Sequence, residues 1–160
     1  MIRPIRAVKK EIRILGLDTC NPHANISVIV RGGFYVDGVI SISPDPKSIM
    51  REWGRRIVDS AYFPELRAIM LHSPNDELVP VSLERITGLP TMSISKDYPN
   101  HGRGCKAFDG SLGRLWVKTR LESTILKKIL AASWTIGKLP EPLRVAHLLA
   151  RADLREKSSR

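Results

Sequence analysis

Two side chains able to do chemistry close apolar runs in this 160-residue chain. Asp18 ends Ile14-Leu15-Gly16-Leu17, and His72 ends Ala68-Ile69-Met70-Leu71. Each run has the length and composition of a buried strand. If the two strands are parallel and joined through a helix, the right-handed crossover rule sets them side by side. Asp18 and His72 then become neighbours at adjacent carboxyl ends, where α/β sheets usually receive ligands. A carboxylate in that place is either a metal ligand or a turn former capping Cys20-Asn21. An imidazole there is either a transition-metal ligand or a packed, hydrogen-bonded side chain, and the packed role is the expectation for His72. His147 falls in an apolar helical stretch and reads as structural, while His23 and His101 stand isolated in loops. Cys20 and Cys105 make neither a disulfide framework nor a paired metal motif, which fits reduced thiols in a cytoplasmic protein.

The second chemical resource is positive charge. The chain carries a formal net charge of +10, and residues 1–13 hold five Lys/Arg against one acid. Residues 14–98 hold eight against ten, and residues 99–160 hold thirteen against five. All of the excess therefore sits at the two ends. Solubility does not need such segregation. Polyanion binding uses it, because each neutralised phosphate releases condensed counterions. Arg3, Arg6, Lys9, Lys10 and Arg13 form a spaced N-terminal arm. Lys118, Arg120, Lys127 and Lys128 gather around one helix, and Arg144, Arg151 and Arg155 extend the charge. Aromatics are few at 6%, and Tyr98, Trp116 and Trp134 are the ones open to base stacking. The expected partner is nucleic acid, RNA ahead of DNA, bound through its backbone and sensitive to salt. A structured RNA or a ribonucleoprotein such as the ribosome suits that better than single-strand binding.

The elements that must position these groups follow from periodicity. Residues 11–17 read as a first strand, 26–31 as a second, and Gly32-Gly33 as a tight hairpin into a third strand over 34–43. Asp45 and Pro46 have the character of an N-cap and a first helical residue, and Ile49, Trp53 and Ile57 give that helix a buried stripe. Residues 67–71 make a fourth strand, 79–87 a helix ended by Gly88, and 91–95 a fifth strand. Residues 97–114, with Pro99, Asn100 and Gly102, read as a loop. Thr119-Arg120-Leu121-Glu122 has the pattern of a capping box for a helix to about residue 133. Pro140-Glu141-Pro142 opens a last helix with Leu143, Ala146, Leu149 and Ala150 on one face, and residues 155–160 read as a frayed tail. The chain thus predicts one α/β domain over 11–154 with a mixed five-stranded sheet, flanked by a basic arm (1–10) and a basic tail (155–160). No apolar run approaches a membrane span, and no secretory h-region follows Arg3-Pro4. Hydrophobic residues are 42% and charged residues 26%, ordinary for a globular chain.

Several segments resemble a known family. Ile12-Arg13-Ile14-Leu15-Gly16-Leu17-Asp18, Arg31-Gly32-Gly33 with Val36-Asp37-Gly38-Val39, Leu66-Arg67-Ala68-Ile69-Met70-Leu71 and Leu139-Pro140-Glu141-Pro142-Leu143-Arg144-Val145-Ala146-His147-Leu148 are similar to the archaeal domain-of-unknown-function family ninety-nine, regarded as a distant relative of endonuclease V. The resemblance runs from about residue 9 to 152 and weakens across 97–114. It implies an RNase H-like fold in which carboxylates on strand one, the first helix and strand four hold Mg²⁺ or Mn²⁺. Two such ions clamp the attacking and leaving oxygens of a phosphodiester, and hard ions of this kind take oxygen ligands. On the resemblance, Asp18 matches the strand-one aspartate, Glu52 the helix glutamate, and Lys96, after Gly88-Leu89-Pro90-Thr91, the active-site lysine. Asp37 lies in a family-like strand but has no role that the sequence assigns.

The departures from that pattern are chemical. His72 stands where both families place an aspartate after strand four, and neutral imidazole is a poor Mg²⁺ ligand. The family's helix-start aspartate falls near Ser48, with Asp45 close by. Ser73-Pro74-Asn75-Asp76-Glu77 replaces a Gly-rich loop, and its acids come four and five residues late. The strand-separating wedge of endonuclease V is not recognisable before Glu52, and Glu52 itself sits beside Arg51 and Arg55 as a solvated ion pair would. Lys96 is a phosphate contact or a surface lysine. The metal site reads as eroded. The expectation is an RNA-binding protein without efficient cleavage; the alternative is a Mg²⁺- or Mn²⁺-dependent endonuclease using Asp18, Glu52 and Lys96, and a third reading is a module that meets an acidic protein.

Overall fold

The structure, a computed structural model, describes residues 1–18, 26–42, 49–72, 78–99 and 104–158. One seven-stranded mixed sheet runs through it in the order β3-β2-β1-β4-β5-β7-β6. Its strands are β1 (Arg13–Asp18), β2 (Ile26–Arg31), β3 (Tyr35–Ser41), β4 (Leu66–His72), β5 (Thr91–Ser95), β6 (Lys106–Gly110) and β7 (Gly113–Lys118). Four helices cover it, α1 (Ile49–Asp59), α2 (Leu78–Thr87), α3 (Ser123–Ser133) and α4 (Glu141–Ser158). β1, β2 and β3 pair antiparallel, whereas β1, β4 and β5 pair parallel. β4 lies beside β1 as the crossover rule requires, with Asp18 opposite His72.

Strand alternation divides the core into two layers. Ile14, Ala68, Met70, Met92, Ile94, Leu115 and Val117 face Leu126, Ile129 and Leu130 of α3 and Leu143 of α4. Leu15, Leu17, Ile29, Ile40, Ile69 and Leu71 face the other way, onto Trp53 and Ile57 of α1 and Leu83 of α2. Trp53 and Ile57 are fully buried, as the stripe on this helix predicts. The Ile49 side chain lies outside the described set, as do residues 19–25 and the helix-start signals at Asp45 and Pro46. Gly88 ends α2 in the left-handed region with φ 69°, and its N–H closes on Glu84. Leu143, Ala146 and Ala150 of α4 are buried, with Leu149 partly so.

The sequence expectation of five strands is corrected to seven. Within the expected loop of 97–114 the β6–β7 hairpin begins, running over 106–118 and closed by Ser111-Leu112 with Gly113 at φ 133°. β6 is an edge strand whose residues are exposed except for a half-buried Phe108, so it lacks the apolar alternation that marks a strand. β3 is shorter than expected at both ends. The capping box does not form: Glu122 is the N-cap of α3, with no side-chain cap bond. Thr119 Oγ1 instead donates to the Thr91 carbonyl at 3.1 Å and accepts the Leu121 N–H at 3.2 Å, tying the chain to β5. The expected frayed tail is helical to Ser158, because α4 continues past the buried Ala150. Among the described residues no helix is long and apolar enough to cross a membrane.

Candidate functional site

At the carboxyl end of β1, Asp18 is 2% exposed. It shares the parity of Ile14 and Gly16, so its side chain lies on the α4 face of the sheet. There His147 of α4 brings Nδ1 to 2.6 Å from Asp18 Oδ2. His72 comes from β4, with Nδ1 3.7 Å from Oδ1. With Asp18 ionised, His147 donates to it from Nδ1, on a half-exposed ring. A buried carboxylate is tolerated only with such partners, since desolvation without them costs several kcal/mol.

The local sequence explains how α4 comes so near. Gly16 has no Cβ, and one built there would lie 2.1 Å from the Pro142 carbonyl oxygen. The first turn of α4 therefore rests on β1 backbone, which carries His147 over the end of the strand. Sequence reasoning gave His147 a structural part without naming Asp18 as its partner. The readable signal was its place five residues after Pro142, on the half-polar side of a helix that Gly16 admits to the sheet.

The other candidates do not join this group. Glu52 belongs to α1, which packs on the opposite face of the sheet. Lys96 is exposed just beyond β5, on the same rim as Asp18 and His72. Asp45, Ser48, Asp76 and Glu77 lie outside the described residues. Among the described residues no group of three His, Cys, Asp or Glu can hold a metal ion. One buried carboxyl group committed to an imidazole offers little to an oxygen-seeking Mg²⁺, so the described residues do not fit a magnesium centre.

Asp37, left without a role by its sequence, anchors a network at the sheet edge. Arg31 Nη2 meets its Oδ1 at 2.6 Å and Arg13 Nε its Oδ2 at 2.8 Å, while Arg13 Nη1 also reaches Glu65 at 2.6 Å. The hydrogen bond from Arg31, helped by that from Arg13, holds the Asp37 carboxyl below its ordinary value against the opposing effect of burial.

The basic residues divide into engaged and available. Arg3 donates to the Leu66 carbonyl at 3.0 Å and stacks over Phe63, and Arg13 serves Asp37. Arg144 is held by Glu141 at 2.6 Å, a hydrogen bond that raises its pKa above the ordinary value. Arg120 approaches Glu84 at 3.8 Å, and Lys118 is half-buried. Arg6, Lys9, Lys10, Lys127, Lys128 and Arg151 are exposed. Ile5 and Val8 of the arm pack on the core shared by α3 and α4. The arm thus meets the α3 and α4 layer through Ile5 and Val8, while Arg3 and Arg120 reach Phe63 and Glu84 on the side of α1 and α2, which the slightly acidic middle supplies. Trp134 is 9% exposed and gives its indole N–H to Gly137, which removes it from base stacking.

No protein-family model matches the chain. It is similar to archaeal UPF0215 proteins: that of Methanopyrus kandleri is 28% identical over 193 aligned positions, covering 97% of this chain and 98% of the relative. The UPF0215 protein of Methanothermobacter thermautotrophicus is 26% identical, covering 91% and 89%, and that of Pyrococcus furiosus 26%, covering 98% and 99%. In fold it is similar to a protein of unknown function from Archaeoglobus fulgidus, known from its crystal structure. That similarity has a TM-score of 0.71 at 20% identity and covers 88% of this chain and 97% of that one.

Proposed function

We propose that this protein binds structured RNA, alone or within a ribonucleoprotein such as the ribosome, on an RNase H-like fold related to endonuclease V whose metal centre is eroded. One observation carries the reading: the basic N-terminal arm packs through Ile5 and Val8 on the same core layer as α4 and as α3, which presents the exposed Lys127 and Lys128. Arg6, Lys9, Lys10, Lys127, Lys128 and Arg151 are its phosphate contacts, and the engaged Arg3, Arg13, Lys118, Arg120 and Arg144 shape the surface behind them. Backbone contacts of this kind position the ligand without reading its sequence. The order β3-β2-β1-β4-β5, three antiparallel strands and then parallel ones alternating with helices, supports the fold relationship. Residues 11–154 form the domain, with 1–10 as a basic arm and 155–160 as a basic tail, in a cytoplasmic protein. Hydrogen-exchange footprinting on a structured RNA tests the assignment. Protection falls on the arm and on α3; protection of α1 and α2 instead rejects it.

A second reading, a Mg²⁺- or Mn²⁺-dependent endonuclease, is favoured by the near-complete burial of Asp18 at a carboxyl-end rim. It requires Asp18, Glu52 and Lys96 to act together. Metal-dependent cleavage of a structured or modified nucleic acid, lost in Asp18→Asn, supports it; intact substrate at all metal concentrations excludes it.

A further inference from the structure

The apolar layer beneath α1 and α2 takes its strand residues from β1 to β4. Past β4 the same face of the sheet continues in Ser93 and Ser95 of β5 and then in β7, where Trp116 pairs with Ser95. Leu115 and Val117 point into the core under α3, so Arg114, Trp116 and Lys118 stand on this opposite side. Tyr98 leans on Trp116, with centroids 4.8 Å apart and planes at 87°. The Arg114 guanidinium lies 5.9 Å over the same indole ring, and its Nε holds Asp109 at 2.6 Å. Tyr98 is nonetheless 60% exposed. An aromatic ring that is braced in place yet open to water contributes little to a core, and a fixed open ring is what a nucleobase stacks on.

We propose that Tyr98, braced by Trp116 and Arg114, is a stacking platform for one unpaired nucleotide of the bound RNA. The proposal rests on the RNA-binding reading above and adds to it the kind of RNA recognised, a helix with a looped-out or terminal base. Charge complementarity names the occupant. Residues 104–120 carry Lys106, Arg114, Lys118 and Arg120 against Asp109 alone. Of these, Arg114 and Lys118 share the face of Ser93 and Trp116, which suits a base and its phosphate and not a lipid surface. β6, the last strand of the sheet, joins the platform to the basic layer, since Lys106 Nζ meets Ser123 Oγ of α3 at 3.4 Å. A base resting on Tyr98 therefore sits around the sheet edge from Lys127 and Lys128.

The test compares an RNA hairpin with an unpaired uridine-rich loop against the fully paired duplex of the same stem, for wild type, Tyr98→Leu and Tyr98→Phe. Wild type prefers the looped hairpin. Tyr98→Leu loses roughly tenfold or more on the hairpin and little on the duplex, in line with the loss of one base–aromatic stack. Tyr98→Phe keeps the preference, because the ring and not the hydroxyl carries it. Equal affinity of Tyr98→Leu and wild type for the hairpin overturns the platform and leaves RNA binding standing. Equal losses on hairpin and duplex overturn it as well, since a general weakening is not base stacking. No RNA binding by the wild type overturns both readings.

Discussion

Gly16→Ala probes the contact that places His147 over Asp18. An added Cβ would lie 2.1 Å from the Pro142 oxygen, 2.4 Å from its carbonyl carbon and 2.8 Å from its Cβ. Two of these atoms are backbone and cannot swing aside. The first turn of α4 must retreat by about 1 Å to restore ordinary contact, an overpacking that costs roughly 2–3 kcal/mol. For a chain of this size that lowers Tm by roughly 5–10 °C. A retreat of that extent carried to His147 would lengthen its 2.6 Å bond to Asp18 to about 3.6 Å, past hydrogen-bonding range. Thermal denaturation followed by circular dichroism gives the first quantity. Long-range nitrogen–proton NMR of the imidazole gives the second, as loss of the fixed Nδ1–H tautomer. A variant with an unchanged Tm and an unchanged His147 spectrum would refute the close seating of α4 on β1.

Other expectations follow from the ion pairs and the basic layer. Because Arg31 and Arg13 depress the Asp37 carboxyl below its ordinary value of 3.8, its contribution to stability is present above that value and is lost as pH falls through the lower folded value. Asp37→Asn therefore weakens the protein at neutral pH and flattens its loss of stability on acidification below about pH 4, read from urea midpoints across pH. Replacing Lys127 and Lys128 by Glu lowers RNA affinity on every sequence alike and makes the salt slope shallower by about 2, at about 0.9 per phosphate contact. An unchanged slope in a binding titration would show that α3 does not touch the backbone.

The apolar runs ending at Asp18 and His72 made the parallel pair legible, and topology then set them opposite one another. Trp53 and Ile57 announced α1 by their spacing, and Gly88 announced the end of α2. The β6–β7 hairpin stayed hidden because an edge strand needs neither alternation nor burial, only a partner for its backbone. Thr119 had the type and spacing of a cap, yet α3 begins only at Ser123, so its hydroxyl serves Leu121 and the Thr91 carbonyl ahead of the helix. The site was half legible for the same reason. Asp18 and His72 follow from local pattern, but His147 arrives from a helix 129 residues further along, through a close approach at Gly16 that no periodicity records. The charge segregation was plain in the sequence, whereas the meeting of the basic arm with α3 depended on where Ile5 and Val8 pack.

The central claim is that this fold holds RNA through one basic layer without cutting it. The direct measurement is a titration of end-labelled structured RNA, duplex DNA and single strands with Mn²⁺ present across a salt series, with Asp18→Asn beside the wild type. The account predicts intact RNA, preferred over DNA, with log affinity falling against log salt at a slope between about −3 and −5 in both proteins, as expected for a handful of phosphate contacts. Fragments produced by the wild type alone, or no salt-dependent affinity for any RNA, would contradict it.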